Sequence, residues 1–600
     1  MREPKPQEAK KKGWRKPAGA VCLLAGLAVN VLCLMVWMEA VCRDPHSLAL
    51  VWLLEQGAFV WMSGILLLLI TGALVFLMGA AAPAVFCSNM FFLLLTTVHR
   101  VKLDLRDDPL QFRDFSLAKE ALTVAFNMAD SIRINRAMIA GFVLMGLLAP
   151  LAFWGIRVLC GKPLRRIACA AALLAACVPC LIRMAATEAD ALFLIRDDYN
   201  RRGFMVAFAD RLPCFDERGE VIERPQDYSR ETVQAALAGG DTHKQTAQIL
   251  PDILFVMSES LFDMADVFDL TEEPMPYFKQ LQQEHWGGDF ITPGYGGGTA
   301  NVEYEVLTGY RSSDTPGYCF NIMGGAIRSD MDSVVSVLKE QGYSTEAIHP
   351  NTGSFYDRQN VYAQMGFDRL RFAKDMDPVP KTNLNYPPDD YLFDHIIRAY
   401  EERPADKPWF CHTVTYQNHG GYNFESDFTE IGVRNALDAQ ASANIHNYVN
   451  MVRLSDEALR GLISYFEAQE RPVVIVIWGD HAPAITQFGL TLPSDPAAQQ
   501  RYYTTPLLIW SNYGADFSSL SRRMSAYRVG ASVLDALNIG HDPYFSYLAQ
   551  AQTPNLTIFS NLIEMNGEFT RDAECYQQEQ DKLKLLHYDR LLGERYGEGL

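Results

Sequence analysis

The chain has 600 residues, which is too many for one hydrophobic core, so we expect at least two domains. Its formal net charge of -18 argues against a nucleic-acid binder, because such a protein needs a basic face. Hydrophobic residues make up 49% of the sequence, and they are concentrated before about residue 190. This asymmetry predicts an apolar N-terminal part followed by a soluble domain.

Cysteine usage argues against two kinds of site. Eight of the 12 cysteines lie in or beside the apolar N-terminal third, where they act as small packing residues. The other four are Cys214, Cys319, Cys411 and Cys575, and no two of them form a CxxC pair. A thiolate zinc site and a dense disulfide framework are therefore disfavoured, while an isolated disulfide among these four stays open.

Five stretches in the N-terminal part are long and apolar enough to cross a bilayer, which takes about 20 residues. They lie at 18–41, 59–79, 81–98, 137–157 and 166–186. The first stretch is too long for a cleaved signal peptide, and further apolar stretches follow it. Five buried core helices so close together would be unusual, so we predict a transmembrane domain over residues 1–190.

The placement of lysine and arginine orients these five predicted spans. The N-terminus carries seven basic residues between Arg2 and Lys16, and the loop between the fourth and fifth spans is also basic. Both segments should face the cytoplasm, which places the chain after about residue 187 on the other side. We therefore predict a multi-pass protein of the cell membrane with an extracytoplasmic C-terminal domain.

Two polar segments interrupt or follow the predicted spans. The loop at 99–136 interleaves basic and acidic residues, and we interpret it as an amphipathic segment near the lipid headgroups, with a plain solvated loop as the alternative. Residues 191–250 are predicted to be a juxtamembrane connector. Within it, Ala236-Leu237-Ala238 is a weak signal for proteolytic processing near Ala238.

From residue 251 to residue 600, short apolar runs rich in β-branched residues alternate with helical patterns. The predicted strands are Asp252–Met257, Ser344–Ile348, Trp409–Thr415, Val473–Trp478 and Pro506–Trp510, and the predicted helices include 331–341, 388–403 and 434–467. This alternation predicts an α/β domain with a central, mostly parallel sheet covered by helices on both faces. Ligands of such sheets collect beyond the carboxyl ends of the strands.

Three predicted strands are followed by side chains that bind metal ions or phosphate. Glu259 follows the first run, His419 follows the third, and Asp480 with His481 follows the fourth. A lone carboxylate after a strand is more often a helix cap, but an adjacent Asp-His pair after an apolar run is much rarer. Oxygen and imidazole ligands together suit Mn²⁺, Mg²⁺ or Zn²⁺.

The string GYGGGTANVEYE at 294–305 contains a candidate nucleophile. Successive glycines let the backbone approach a phosphate, and Thr299 stands where a helix would begin. There the free N–H groups of Ala300 and Asn301 and the helix dipole favour an anion. Such a string alone more often marks a flexible loop with an N-cap threonine. Beside the predicted metal ligands, however, a divalent cation would lower the pKa of the Thr299 hydroxyl enough for nucleophilic attack.

Taken together, these motifs resemble the lipoteichoic acid synthase family. The resemblance rests on the five predicted spans, Ser258-Glu259-Ser260, the string GGGTANVEYEVLTG at 296–309, and Trp478-Gly479-Asp480-His481. The loop at 100–110 and the tail at 585–593 are also similar to that family, whereas 200–250 is the least recognisable part. The resemblance implies a five-helix transmembrane domain followed over 251–600 by a sulfatase-like catalytic domain of the alkaline phosphatase superfamily.

The resemblance also implies roles for individual residues. In that family a glutamate, a nucleophilic threonine and an Asp-His pair hold one Mn²⁺, and the matching residues here are Glu259, Thr299, Asp480 and His481. The family's phosphate and glycerol contacts match His349, Tyr356, Arg358 and His419. Tyr356 stands where the family more usually has a tryptophan, which leaves the glycerol contact open.

The reaction that the resemblance implies is the transfer of glycerol phosphate from phosphatidylglycerol to a hydroxyl acceptor through a phospho-threonine intermediate. The acceptor is left open between a polyglycerolphosphate chain, a glycolipid and a glucan. A phosphoethanolamine transferase, a phosphodiesterase and a sulfatase of the same superfamily are alternatives, although Thr299 cannot be converted to the formylglycine that a sulfatase requires. An inactive lipid-binding scaffold is the alternative from another class, and the presence of every predicted ligand argues against it.

Overall fold

The computed structural model describes residues 17–43, 46–106, 109–117, 136–157, 163–185, 195–210, 224–237, 247, 249–315, 319–320, 327–328, 331–551, 553–559, 562–572 and 576–598. These residues fall into two compact units, one built from the N-terminal helices and one that contains residues 224–598.

The first unit is helical. Its α-helices are α1 (Pro17–Cys42), α2 (Leu48–Glu55), α3 (Gly57–Met78), α4 (Ala81–Arg106), α5 (Arg136–Gly141), α6 (Ala149–Leu151), α7 (Pro163–Ala185), α8 (Ile195–Arg202) and α9 (Phe204–Asp210). Four helices are long and apolar enough to cross a bilayer, at Val21–Cys42, Gly57–Met78, Ala81–Asp104 and Pro163–Met184. These helices make the chain a membrane protein.

The fourth predicted span is shorter than the sequence pattern indicates. The apolar helix there covers Met138–Leu151, and its middle part, Phe142–Leu148, is a π-helix. Pro150 follows this irregular stretch and has no backbone N–H, so it cannot take part in the regular helical hydrogen-bond ladder. The described residues thus hold four full-length candidate spans and one shorter apolar helix, and the fifth crossing stays a prediction.

Two polar segments differ in part from what the sequence predicts. Residues 99–106, expected to open an interfacial loop, instead continue α4 to Arg106. Arg100 and Asp104 are four residues apart, a spacing that places opposite charges on one helix face. Residues 118–135 of the same loop lie outside the described part of the chain. Within the expected connector, Tyr199 and Phe204 are buried in the core of the first unit.

The second unit is an α/β domain. Its α-helices are α10 (Arg230–Ala236), α11 (Pro276–Glu284), α12 (Thr299–Thr308), α13 (Val334–Glu340), α14 (Arg358–Met365), α15 (Asp389–Glu401), α16 (Ala439–Glu467), α17 (Pro496–Gln499), α18 (Ala526–Ala536), α19 (Pro543–Ala549) and α20 (Gln577–Leu591). Its strands are β1 (Asp252–Ser258), β2 (Trp286–Ile291), β3 (Ser344–Ile348), β4 (Arg369–Arg371), β5 (Trp409–Val414), β6 (Val473–Gly479), β7 (Thr504–Ser511), β8 (Arg523–Ser525), β9 (Leu556–Ile558), β10 (Ile563–Met565) and β11 (Glu568–Thr570).

Eight strands form one central sheet in the order β4-β3-β5-β1-β6-β7-β2-β8. All neighbouring pairs are parallel except the two that involve β7, which runs antiparallel to β6 and to β2. The expected mostly parallel sheet is therefore confirmed. Strands β9 to β11 form a separate small antiparallel sheet.

Both faces of the central strands are buried, which explains why these strands are apolar at every position. All seven residues of β1 and all seven of β6 are buried. Alternate residues, such as Leu254 and Ile475, belong to one core cluster that also contains residues of α15 and α16. Because successive side chains point to opposite faces, the residues between them are covered on the other face.

The structure bears on two further expectations from the sequence, an isolated disulfide and a processing site near Ala238. Cys319 and Cys411 are buried, and neither forms a disulfide bond among the described residues. Cys214 and Cys575 lie outside the described residues. The candidate processing site also falls partly outside, because Ala238 is not described. Leu237 beside it is buried, which argues against access by a protease in the folded state.

Candidate metal centre and nucleophile

Two adjacent strands bring the first pair of candidate ligands together. β1 and β6 are parallel neighbours, and Ser258 lies opposite Gly479 in their register. Glu259 and Asp480 come directly after these two residues, so both carboxylates lie at the same edge of the sheet. A Cβ at Gly479 would lie only 2.0 Å from the carbonyl oxygen of Leu261, so glycine is required for this close approach.

Glu259, Asp480 and His481 form a compact cluster of potential metal ligands. One ligand atom from each lies within 4.8 Å of the others. The Nε2 atom of His481 is 3.6 Å from Oε1 of Glu259 and 3.2 Å from Oδ2 of Asp480. All three side chains are buried, with at most 4% of the residue exposed. Two carboxylates and one imidazole suit a divalent cation.

Hydrogen bonds fix the orientation of these ligands. Nδ1 of His481 lies 3.1 Å from the carbonyl oxygen of Ala482, a contact that requires the proton on Nδ1 and leaves the Nε2 lone pair facing the carboxylates. Oδ1 of Asp480 accepts hydrogen bonds from the backbone N–H groups of Ser260 and His481. The hydroxyl of Ser260 donates to Oε1 of Glu259 at 2.9 Å.

The electrostatics of the cluster also favour a cation. Burial raises the pKa of Glu259 well above its usual range, and the charge of Asp480 raises it further. Burial likewise raises the pKa of Asp480, although His481 and the hydroxyl of Thr299 oppose this effect. Among the described residues, no lysine or arginine forms an ion pair with either carboxylate. A bound divalent ion would compensate this buried negative charge, so the residues present fit a metal.

Thr299 begins α12 at the end of the glycine loop, where the sequence predicts a helix start. Gly296, Gly297 and Gly298 have φ values of 60°, 144° and 95°, which L-residues rarely adopt. One part of the predicted anion site is wrong, because the N–H of Asn301 donates to the carbonyl of Gly298 at 2.8 Å. That hydrogen bond closes the first turn, so the N–H of Asn301 is not free for an anion.

One cleft joins the candidate metal ligands to the candidate nucleophile, Thr299. Its lining includes Glu259, Thr299, Tyr356, His419 and His481. The contributing segments come from different parts of the sheet. The candidate metal ligands follow the central strands β1 and β6. Thr299 follows β2 on one side of them, and Tyr356 and His419 follow β3 and β5 on the other side.

Three residues other than glycine around the cleft have left-handed backbone conformations. Ser260 has a φ of 50°, and the successive residues Tyr356 and Asp357 have φ values of 55° and 54°. Each such residue costs of the order of 1 kcal/mol and persists only when its surroundings impose it. The Tyr356 ring lines the cleft, which makes the strained loop after β3 a candidate functional segment.

His419 packs against two aromatic side chains at the cleft wall. The centre of its ring is 4.9 Å from the centre of the Tyr386 ring and 5.2 Å from the centre of the Tyr416 ring. Its Nδ1 lies 3.3 Å from the carbonyl oxygen of Gly420, and the hydroxyl of Tyr386 donates to the same carbonyl. These contacts hold the imidazole in place beside the space that Thr299 faces.

Arg358 and His349 are not among the residues that line the cleft. Both residues are 2% exposed, and the guanidinium carbon of Arg358 lies 5.0 Å from the centre of the Tyr356 ring. Nη1 of Arg358 is 3.4 Å from Nε2 of His349. The structure therefore places Arg358 beside the cleft residue Tyr356 and His349 beside Arg358, and both side chains are buried.

Sequence reasoning missed four residues that shape this site. Ser260 and Thr415 contact Glu259, whereas Glu303 and Tyr362 contact Arg358 or each other. Glu303 carried a usable signal, because it lies four residues after Thr299 and therefore on the same helix face. Ser260 lies within the motif Ser258-Glu259-Ser260, but nothing in the motif assigned it a contact with Glu259. Thr415 and Tyr362 carried no signal, since they are common polar residues outside the motifs.

Comparison with known proteins agrees with this geometry. Residues 251–539 match the family model described as Sulfatase. A protein of Rhizobium meliloti, named putative cyclic beta-1,2-glucan modification protein, is 28% identical over 423 residues, which cover 67% of this chain and 63% of the relative. The lipoteichoic acid synthase of Staphylococcus aureus is 25% identical over 167 residues, which cover 28% of this chain and 25% of that protein.

Each of these alignments spans less than two thirds of the relative's own length. Among solved structures, the phosphoglycerol transferase GacH of Streptococcus pyogenes, in complex with sn-glycerol-1-phosphate, superposes with a TM-score of 0.51. It is 20% identical, and the match covers 63% of this chain and 97% of that chain, so it shows the fold. Residues 251–539 of the chain therefore match the Sulfatase family model, and the resemblance of the motifs to the sulfatase-like lipoteichoic acid synthases is confirmed.

Proposed function

We propose that this protein is a metal-dependent phosphoglycerol transferase that moves glycerol phosphate from phosphatidylglycerol to a hydroxyl acceptor. The observation that carries the proposal is the convergence of Glu259, Asp480 and His481 in one cleft region with the helix-terminal Thr299. A threonine at that position excludes formylglycine chemistry but retains a hydroxyl nucleophile. The resemblance of the motifs to lipoteichoic acid synthases supplies the donor.

In the proposed first step, Oγ of Thr299 attacks the phosphorus of the lipid. A Thr299 O–P bond forms while the bond from phosphorus to the diacylglycerol oxygen breaks, and diacylglycerol leaves after taking up a proton. In the second step, the hydroxyl of the acceptor attacks the same phosphorus. The new phosphodiester forms, the Thr299 O–P bond breaks, and the threonine hydroxyl is restored.

Glu259, Thr299, Asp480 and His481 are the residues that would hold the metal ion, proposed to be Mn²⁺ with Mg²⁺ or Zn²⁺ as alternatives. Such an ion lowers the pKa of a coordinated hydroxyl and neutralises charge on a phosphoryl group. The chain itself keeps the Nε2 lone pair of His481 aimed at the cluster and directs the ring of His419 into the cleft. Tyr356 forms the wall against which the glycerol moiety would pack.

The membrane helices support a lipid donor, because a membrane protein can take its substrate from the bilayer in which it lies. We propose that the sulfatase-family domain faces the extracytoplasmic side, as the basic N-terminus predicts. For the acceptor, the relative named as a putative cyclic beta-1,2-glucan modification protein makes a glucan the first candidate to test. A polyglycerolphosphate chain and a glycolipid are the other two.

The test is a transfer assay on the full chain in detergent or nanodiscs with Mn²⁺. Labelled phosphatidylglycerol should release diacylglycerol, and labelled phosphatidylethanolamine in a parallel reaction should not. Mass spectrometry of protein quenched during turnover should find a glycerophosphoryl adduct on the peptide that contains Thr299. Thr299→Ala should lower the rate to background, and Thr299→Ser should restore part of it, because it keeps a hydroxyl.

Two outcomes would contradict the proposal. Release of diacylglycerol by Thr299→Ala at the wild-type rate would show that the glycine loop only binds phosphate. Turnover of phosphatidylethanolamine in preference to phosphatidylglycerol would instead identify a phosphoethanolamine transferase with the same nucleophile.

A further inference from the structure

Glu303 is a buried carboxylate one helical turn after Thr299 that the proposed mechanism does not use. It has no exposed surface. Nε of Arg358 donates to Oε1 of Glu303 at 3.0 Å, and Nη2 of Arg358 and the hydroxyl of Tyr362 also donate to its carboxylate. Nε2 of His412 lies 3.7 Å from Oε2. Glu303 therefore holds the side edge of the guanidinium, formed by Nε and Nη2, in a fully enclosed ion pair.

His349 occupies a further position on the same guanidinium. Nδ1 of His349 lies 2.9 Å from the carbonyl oxygen of Val414, so Nδ1 carries the proton and Nε2 is an acceptor. Burial lowers the pKa of His349 to about 3, and the charge of Arg358 adds to this effect. The ring is therefore neutral at ordinary pH, and its Nε2 accepts from Nη1 of Arg358.

An arginine side chain has five N–H groups, arranged in a rigid plane. Glu303 accepts hydrogen bonds from Nε and Nη2, and His349 accepts one from Nη1. Tyr362 is a further hydrogen-bond partner of Arg358, and the ring of Tyr356, which lines the cleft, packs against the guanidinium. The guanidinium is therefore fixed beside the cleft wall, where its positive charge favours a phosphoryl anion in the cleft.

Glu303 and Arg358 are both charged at ordinary pH, so their ion pair is intact. Burial alone raises the pKa of Glu303, but the charge of Arg358 and contacts from His412 and Arg358 outweigh it and lower the pKa to about 2. Burial also opposes the charged form of Arg358, whose pKa is nevertheless raised by the charge of Glu303. Without this carboxylate, a charged guanidinium would be buried beside the cleft without a counter-ion.

We propose that Glu303 is a positioning residue that holds the guanidinium of Arg358 beside the cleft wall formed by Tyr356, so that its charge attracts the phosphoryl group bound at Thr299. This inference rests on the proposed function, since it assumes that a phosphoryl group occupies the cleft. Glu303 acts only through Arg358, and the two lie 55 residues apart in the chain. A purely structural ion pair would stabilise the fold without affecting phosphate affinity, so the two roles are separable.

The test compares two buried glutamates on the same helix. Glu303→Gln removes the charge that orients Arg358, whereas the matched control Glu305→Gln makes the same change at a residue that contacts Ser312 instead. The full chain with Mn²⁺ is assayed for binding of inorganic phosphate, for transfer from labelled phosphatidylglycerol and for bound metal. We expect Glu303→Gln to weaken phosphate binding about tenfold and to lower kcat/KM by roughly 10- to 100-fold. Metal content should stay unchanged, and Glu305→Gln should match wild type within about twofold in binding and transfer.

A double variant decides whether Glu303 acts through Arg358. Glu303→Gln combined with Arg358→Ala should be no worse than Arg358→Ala alone, because the residue that Glu303 positions is already absent. If Glu303→Gln fails to fold, Tyr362→Phe takes its place, since it removes one hydrogen bond to Glu303 and leaves the ion pair. We then expect about a threefold loss of phosphate affinity with normal metal content.

The outcomes separate this inference from the proposed function. Wild-type transfer with unchanged phosphate affinity in Glu303→Gln, or in Tyr362→Phe where that variant replaces it, would overturn the role of Glu303 and leave the function standing. Independent, multiplying losses in the double variant would also overturn it. Wild-type protein that binds phosphate but releases no diacylglycerol would overturn the proposed function, and the binding arm would still decide the role of Glu303. Wild-type protein that neither binds phosphate nor transfers it would contradict both.

Discussion

At the scale of single residues, the metal cluster makes the most direct prediction. Replacing Glu259, Asp480 or His481 by alanine should each lower metal affinity by about a hundredfold or more, because loss of even an outer contact costs about 10- to 100-fold. Elemental analysis of the purified full chain after dialysis measures the bound metal. The control is Asp516→Ala, which changes an exposed residue outside the candidate ligand set. This variant should keep its full metal content. Full occupancy in all three ligand variants would show that the metal is held elsewhere.

Glu305 makes a prediction about pH. It is buried, and burial raises its pKa from 4.5 to about 7 despite hydrogen bonds from Ser312. Between these two pH values the folded state binds more protons than the unfolded state, so stability falls as pH rises. Glu305→Gln removes this pH dependence, because glutamine does not titrate. For a pKa shift of that size, the wild-type free energy of unfolding should fall by about 3 kcal/mol over this pH range. Melting curves of both proteins should nearly coincide near pH 4 and diverge in favour of Glu305→Gln by pH 8. A constant difference at every pH would contradict it.

The same scale shows what a sequence can and cannot reveal about a site. Glu259, Asp480 and His481 were identifiable because each follows an apolar run that must be a buried strand. The pairing of Glu303 with Arg358 was not, because 55 residues separate them and only the fold brings them together. The role of Arg358 as a phosphate contact stays a prediction. Its burial could not be predicted either, because an arginine that follows a strand is more often on the surface.

At the scale of secondary structure, the strands that the sequence predicts best are those buried on both faces of the sheet. β1, β3, β5 and β6 were predicted within a residue or two, because continuous apolar runs leave little choice. β2 was missed because Trp286–Ile291 contains two glycines and an aspartate and is only partly buried. The direction of β7 was also hidden, since an antiparallel strand inside a parallel sheet has the same composition as its neighbours.

Helix α20 makes a prediction about stability. Its Arg590 donates to Asp332, Asp542 and Tyr310, and only 6% of the Arg590 side chain is exposed. Arg590→Ala should cost about 2 kcal/mol, below the usual 3–5 kcal/mol for a broken buried pair, because both carboxylates are partly exposed. Arg595→Ala, at a residue whose side chain is 30% exposed and pairs with the same Asp332, should cost less than about 1 kcal/mol.

Thermal unfolding of the full chain in detergent measures both arginine variants. Equal losses for Arg590→Ala and Arg595→Ala would show that burial does not set the difference. A large loss of bound metal in Arg590→Ala at low temperature would show that α20 also shapes the metal centre.

At the scale of the whole molecule, the prediction concerns sidedness. A reporter fused after residue 162 should report the cytoplasm, and one fused after residue 250 should report the exterior, because the basic N-terminus and the basic loop before the last span stay inside. Paired fusions, one active only in the cytoplasm and one only outside, measure this. An exterior signal at residue 162 would contradict the five-span topology, and the shorter helix at Met138–Leu151 would then be the first segment to reconsider.

The order of segments along the sheet edge has a consequence for how the proposed activity could change its substrate. The candidate metal ligands follow the two most central strands, whereas Tyr356 and His419 are carried by loops after β3 and β5. Loops tolerate insertions and replacements that central strands do not. Under the proposed function, a lineage could therefore change its donor or acceptor by remodelling two loops, while the candidate metal ligands after the central strands stay the same. Exchanging the loops at 349–357 and 415–422 between relatives would reproduce such a change in the laboratory.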